Sequence, residues 1–263
     1  MKKFFTPIVL LCLFTFFLAF GGISSLFAAN FYSRVSGNWN NSNTWSSTSG
    51  GGAGKTTPGS SDNVYIESGC TVTVTENAGC ANITINNNST LIISGSSTLT
   101  VNNATVNGTL TVRNTASYSA TKTTFNSGSI YVHNKNGGTI PTAIWNSNST
   151  CLISGITTTK PAGLNQSFGN FTWNCSNQTA NISFATDLST INGNLTVTDT
   201  GTGAVNLMFS GPSTCSCNIQ GNLVQDGGIF RLVGNDGSTS GNMTLNIKGN
   251  LTLNGGTFDV HGN

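Results

Sequence analysis

Charge is scarce in this sequence. Only 7% of its 263 residues are Asp, Glu, Lys or Arg, ten basic against eight acidic, where an ordinary globular domain carries about 25%. No basic face is available for a nucleic acid, and no polybasic cluster for an anionic membrane surface. Histidine is scarcer still, limited to His133 and His261. A zinc site wants four ligands, and Cys215-Ser216-Cys217 has neither histidine near it in sequence. That pair is read as small buried residues or an outward pair on a strand. No metal or cofactor is expected. The acids form no Asp-x-Asp or Glu-x-x-Asp arrangement, so the acid/base pairs that hydrolytic chemistry needs are missing and the chain is not expected to be an enzyme.

Asn, Thr, Ser and Gly take the places that charges usually hold. Low charge could mean disorder, but disorder goes with high net charge and few β-branched residues. Here Thr, Val and Ile recur in short alternating runs such as Thr71-Val72-Thr73-Val74 and Thr109-Leu110-Thr111-Val112. Alternation of this kind reads as strand. Asn-x-Ser/Thr sequons, as at Asn82 and Asn103, follow from composition and are not read as glycan sites.

The chain opens Met1-Lys2-Lys3, runs uncharged from Phe4 to Phe20 and ends this stretch on Phe27-Ala28-Ala29. A basic start, an apolar run and small residues make a secretory signal over 1–28; the alternative is an uncleaved anchor, since the apolar run is nearly long enough to span a bilayer. With the signal gone, no membrane span is expected. Of seven cysteines, Cys12 leaves with the signal and Cys70, Cys80, Cys151, Cys175, Cys215 and Cys217 remain. An even number in an exported chain permits disulfides, and the expected pairs are Cys70 with Cys80 and Cys151 with Cys175.

Near the C-terminus a motif repeats. Ile191-Asn192-Gly193-Asn194-Leu195, Ile219-Gln220-Gly221-Asn222-Leu223 and Ile247-Lys248-Gly249-Asn250-Leu251 start 28 residues apart. A fixed period of this size means one supersecondary unit stacked on itself. Gly227–Leu232 aligns with Gly255–Val260 at the same spacing, which puts Phe230, Leu232, Phe258 and Val260 inward and Arg231 beside Asp259 outside. Asn194, Asn222 and Asn250 would stack at corners and hydrogen-bond up the stack. Asp199 and Asp226 could approach across rungs, but Asp226 aligns with Thr198 and Asn254 and reads as turn chemistry. Upstream, Ser-Thr-Leu recurs at 89–91 and 97–99, a step of 8; three steps give a rung of 24.

The expectation is an all-β, single-stranded parallel β-helix, a right-handed β-solenoid of about nine rungs of 24–28 residues. Residues 29–70 form an irregular N-terminal cap, and 71–263 the repeats, broken off within a repeat. Trp39 and Trp45 are expected to pack the cap over the open first rung. Trp145 and Trp173 also stand 28 apart, each followed by Asn. Facing outward on neighbouring rungs they would make a stacking strip for carbohydrate; facing inward they would make an aromatic ladder.

Gly37-Asn38-Trp39-Asn40, Thr44-Trp45 and Pro58-Gly59-Ser60-Ser61-Asp62 resemble the N-terminal part of the eight-glycine extracellular domain. The segment 125–200, with Gly138-Thr139-Ile140-Pro141 and Phe168-Gly169-Asn170-Phe171-Thr172-Trp173, resembles large Bacteroidota surface proteins exported by type IX secretion. The resemblance implies a secreted, cell-surface location and a structural or adhesin-like segment of a larger exported protein, with extracellular glycans or surface components as partners. An extracellular carbohydrate-binding module is the alternative, and a non-catalytic part of a polysaccharide-degrading enzyme the third.

Overall fold

The computed structural model describes residues 28–54, 56–184, 187–208, 214–234 and 242–260. The expected signal, apart from Ala28, and His261 lie outside them. The described residues form a parallel β-solenoid. Its strands fall into sheets of ten, seven, four and four strands. Every neighbouring pair is parallel except Asn30–Ser33 with Trp45–Ser46.

Each rung has three sides. Early in the coil one long strand serves two of them. In Thr98–Val106, Leu99 and Val101 point inward, Asn102 and Asn103 are both exposed, and Ala104 and Val106 point inward again. Alternation normally flips every residue, so two successive outward residues turn the strand through a corner. The third side is the ten-stranded sheet, reached through a turn at Asn107-Gly108 and continued by Thr109–Arg113. Further on, the two shared sides separate into the four-stranded sheets, one holding Val205–Met208 and Ile229–Val233, the other Cys215–Ile219 and Met243–Ile247.

The ten-stranded sheet carries two inward columns through the molecule. One runs Val72, Leu91, Leu110, Tyr131, Cys151, Phe171, Leu195, Leu223. Its neighbour runs Val74, Ile93, Val112, His133, Ile153, Trp173, Val197, Gln225. All of these side chains are buried. Each large apolar one contributes roughly 1.5–3 kcal/mol over leaving it in water.

These columns correct the expected rung length. Val72 to Leu91 and Leu91 to Leu110 are steps of 19, Leu110 to Tyr131 is 21, and Tyr131 to Cys151 to Phe171 are steps of 20. The rung then lengthens to 24 at Leu195 and reaches 28 at Leu223 and Leu251. The Ser-Thr-Leu step of 8 joins two sides of one rung: Leu91 lies on the ten-stranded sheet and Leu99 on the seven-stranded one. The 28 residues between Trp145 and Trp173 are not a rung either. Trp145 stands beside Phe125 and Trp173 beside Ile153, on different sheets.

The coil begins inside the expected cap, because Asn30–Ser33 already pairs with Asn63–Ile66. Beyond it the two-residue strands Gly37–Asn38 and Trp45–Ser46 end the ten- and seven-stranded sheets. Such short edges leave little backbone for another chain to pair with. Trp39 and Trp45 are buried there, their rings edge to face at 5.1 Å, and Trp45 Nε1 donates to the Trp39 carbonyl at 2.8 Å.

In the last rungs the expected register holds. Leu195, Leu223 and Leu251 are successive partners, and Arg231 stands beside Asp259 with 3.7 Å between their charged atoms. Such a partly exposed pair is worth about 0–1 kcal/mol. Phe230 is fully buried and Leu232 and Phe258 partly so, but Val260 is 55% exposed; it lies on a rung with a neighbour on one side.

The asparagines form a ladder. Asn170 Oδ1 accepts from the Asn194 backbone N–H, Asn194 Oδ1 from Asn222, and Asn222 Oδ1 from Asn250, at 2.8–2.9 Å. A second ladder follows the exposed corner, where Asn63, Asn82 and Asn103 each donate Nδ2 to the Oδ1 of the preceding asparagine. The repeat's glycine is there for close approach. A Cβ at Gly221 would lie 2.4 Å from Asn194 Oδ1 and 2.7 Å from the Gly193 carbonyl. Gly221→Ala should therefore cost about 1–3 kcal/mol through overpacking, read as a lowered thermal midpoint. Gly52→Ala, with nothing within 4 Å of its Cβ, should change stability by less than about 0.5 kcal/mol.

Candidate functional site

The residues singled out by sequence do not assemble on the surface. Trp173 is completely buried, packed edge to face on Phe184 at 5.2 Å, and its Nε1 donates to Gln178 Oε1 at 2.8 Å. Trp145 is 7% exposed, stacked on Phe125 at 4.2 Å, and its Nε1 donates to Gln166 Oε1 at 2.8 Å. Both indoles are thus part of an inward aromatic ladder that continues through Phe168 and Phe171. The stacking strip for carbohydrate is corrected on this ground: an indole without exposed face has nothing to offer a sugar ring.

Their glutamine partners were not legible in advance. Gln178 is fully buried and also donates to the Ala180 and Ala204 carbonyls at 2.8 and 2.9 Å. Both of its amide protons go to carbonyls, and its oxygen takes the indole N–H. Gln166 does the same for Trp145, donating to the Pro141 and Gly163 carbonyls.

The cysteine pairing is also corrected. Cys70, Cys80, Cys151, Cys175, Cys215 and Cys217 are all free and buried. Cys151 stands beside Phe171, and Cys175 lies four residues further along, roughly 13 Å at strand rise. A disulfide needs about 4.4–6.8 Å between Cα atoms. The Cys70 thiol donates to the Ser33 carbonyl at 3.7 Å, whereas Cys80 lies on the seven-stranded sheet beside Val101. Burial pushes the thiols of Cys80, Cys175 and Cys217 up to about 12, so they hold their protons and react slowly. A chain starting at residue 29 should show six titratable thiols once denatured and almost none while folded, measured with a chromogenic disulfide.

The aspartates that could approach across rungs are taken up in local bonding. Asp199 Oδ1 accepts from the Gly201 backbone at 2.8 Å and Asp226 Oδ1 from Asn254 Nδ2 at 2.8 Å, which is turn and ladder bonding. Among the described residues no three of His, Cys, Asp and Glu come together as a metal site. Buried His133 is bonded on both ring nitrogens, to the Tyr131 hydroxyl at 3.2 Å and the Gly137 carbonyl at 2.7 Å. Burial lowers its pKa from 6.5 to about 4, against the raising effect of the Gly137 bond; Lys135 lowers it further.

A concave site does exist where the cap meets the first rungs. It has a volume of about 490 Å³ and is walled by Trp39, Pro58, Ser60, Glu76, Asn77 and Thr100, among others. The Pro58-Gly59-Ser60 turn is held by Asp62, whose Oδ2 accepts from the Gly59 N–H at 2.8 Å. The other wall is the turn between Thr71–Val74 and Ala78–Ile85. Sequence reasoning read Pro58–Asp62 as part of the cap and gave residues 75–77 no role. The signal that could have marked them is Glu76, one of two glutamates in a nearly uncharged chain.

Comparison with curated proteins and with solved structures gives no match. One family model spans both the cap and the rungs, from the first strand to within Leu251–Leu253. The chain belongs to that family, described as a domain of unknown function, DUF8693, which matches residues 30–252.

Proposed function

We propose that this chain is a structural, adhesin-like segment of a larger exported protein, displayed outside the cell as a stiff spacer. The carrying observation is the ten-stranded parallel ladder. At about 4.8 Å per strand it extends roughly 43 Å, with two inward columns packed from rung to rung. Every interior strand is bonded on both edges, so bending the rod breaks many bonds together. The capped first rung supports the same reading, because it discourages edge pairing at that end. The resemblance of residues 125–200 to type IX cargo of Bacteroidota supports export and surface display. Extracellular glycans or neighbouring surface components are the partners this role implies, and no reaction is assigned to the chain.

The test is a deletion. Removing residues 30–260 in frame from the gene of a producing cell should reduce attachment to surfaces or to other cells while growth in suspension stays the same. Attachment equal to that of the parent would count against the role.

A further inference from the structure

The seven-stranded sheet has a gap in its ladder. Ser117–Phe125 pairs along its length with Thr98–Val106, but on its other edge only Thr124 and Phe125 are paired, with Ile144 and Trp145. The Ser117 N–H donates to the Ser97 carbonyl, so by alternation the N–H and C=O of Tyr118 point the other way, toward the next rung. What faces them there is Thr139. The Gly138 carbonyl accepts from the Ala162 N–H at 2.8 Å and the Ile140 N–H donates to the Ala162 carbonyl at 2.9 Å, which turns the N–H and C=O of Thr139 back toward Tyr118. Among the described residues none of these four groups has a partner. Between the two edges lies a cavity of about 200 Å³ walled by Ser117, Tyr118, Lys135, Gly138 and Thr139, among others. Ser117, Gly138 and Thr139 are exposed, so the cavity opens to water.

Main-chain groups normally find partners within a fold, and here two donors and two acceptors stand free around one cavity. Lys135 adds a charge. Its stem runs past Gly138, where an added Cβ would lie 2.7 Å from Cε, and its Nζ donates to the Ala116 carbonyl. That leaves two of the three ammonium protons. Lys135 forms no ion pair among the described residues, and the sequence holds no Asp or Glu between Glu76 and Asp187. The cavity therefore offers an ammonium without a counterion, two N–H donors and two carbonyl acceptors. Inorganic phosphate suits the donors but sets further acceptors against the carbonyls. An apolar molecule leaves every group unpaired. A carboxylate with an N–H beside it fits them all. The volume is the space of roughly six or seven waters at about 30 Å³ each, which admits a small residue only.

We propose that this cavity binds the carboxylate and adjacent N–H of a small α-amino acid, free or at the carboxyl end of a peptide. The carboxylate accepts from Lys135 and from the main-chain N–H groups of Tyr118 and Thr139, and the ligand's N–H donates to one of their carbonyls. The site does not depend on where the rod is displayed.

The chain from residue 29 should be titrated calorimetrically with glycine, alanine, serine and tri-alanine, and with glycinamide, alaninamide and inorganic phosphate as comparisons. Saturable binding of at least one of the first four is expected; tri-alanine against alanine tells a peptide end from a free amino acid, and either upholds the proposal. The amides, which lack the carboxylate, should bind at least about tenfold more weakly, the loss of a hydrogen bond to a charged group. Lys135→Met keeps the stem, removes the ammonium and should weaken binding by a similar factor. Lys122→Met removes the same charge from an exposed position of the same strand and should leave binding unchanged. Circular dichroism checks that both variants fold, and the amide comparison needs no variant. No saturable binding by any of the four, amides or phosphate bound as tightly as the acids, or equal losses in Lys135→Met and Lys122→Met would overturn the proposal.

Discussion

Replacing Trp173 by alanine is expected to remove about 3–5 kcal/mol of stability, the usual cost of emptying a buried aromatic site. The indole is completely buried, lies between Ile153 and Val197 in its column, and packs on Phe184. The ladder's hydrogen bonds fix the spacing of its neighbours, so the rungs cannot close over the gap. Trp173→Phe should cost less apolar contact but still leave Gln178 Oε1 without its donor, a penalty of about 1–3 kcal/mol. The paired variant Trp173→Phe with Gln178→Met removes both members of that bond, but it also takes a donor from the Ala180 carbonyl and one of two from the Ala204 carbonyl, which keeps the Ile182 N–H. It should therefore not recover full stability. Urea midpoints of the variants, compared with the parent chain, check the order. A Trp173→Ala midpoint equal to the parent's would mean that the indole is not in the core.

Acid should weaken the coil through His133. Its pKa is lowered in the fold to about 4 from 6.5. Between those values the unfolded chain binds a proton that the folded chain does not. Stability rises with pH wherever the unfolded state holds more protons, so it is full above about 6.5 and falls as the pH drops toward 4. Below 4 both states are protonated and the loss levels off. The shift corresponds to about 3 kcal/mol at 1.36 kcal/mol per unit. The structural cause is position: His133 occupies an inward column between Val112 and Ile153, where a charge would replace an alkyl group. His133→Gln has no proton to gain. The difference in stability between parent and variant should therefore change by about this amount from pH 7 to pH 4, while the contributions of carboxylates cancel in the comparison. Parallel curves would show that the imidazole is accessible to water when folded.

The parts of this fold that could be read in advance are those where one residue type recurs at one structural position. Ile-x-Gly-Asn-Leu shows the 28-residue register because its Asn must accept the next rung's backbone N–H and its Gly must let that oxygen approach. The earlier rungs are hidden because their inward positions ask only for a side chain that fills the space. Val72, Leu91, Leu110, Tyr131 and Cys151 share a column without sharing a motif. Inward aromatics also mislead by chance spacing, as Trp145 and Trp173 do on two different sheets. The glutamines that satisfy these indoles lie 21 and five residues away, set by loop paths that periodicity does not encode. The cap cavity is hidden for the same reason, since it draws together Trp39, Ser60, Glu76 and Thr100 from separate stretches. The absence of clustered charge, in contrast, was legible at once, and it is what turns the reading toward geometry.

The proposed role requires this rod to stand outside the cell. Cells producing the protein should be labelled, intact and after permeabilisation, with an antibody raised against residues 30–260. Labelling of intact cells at a level that permeabilisation does not raise is the expected result. Labelling that appears only after permeabilisation would contradict it.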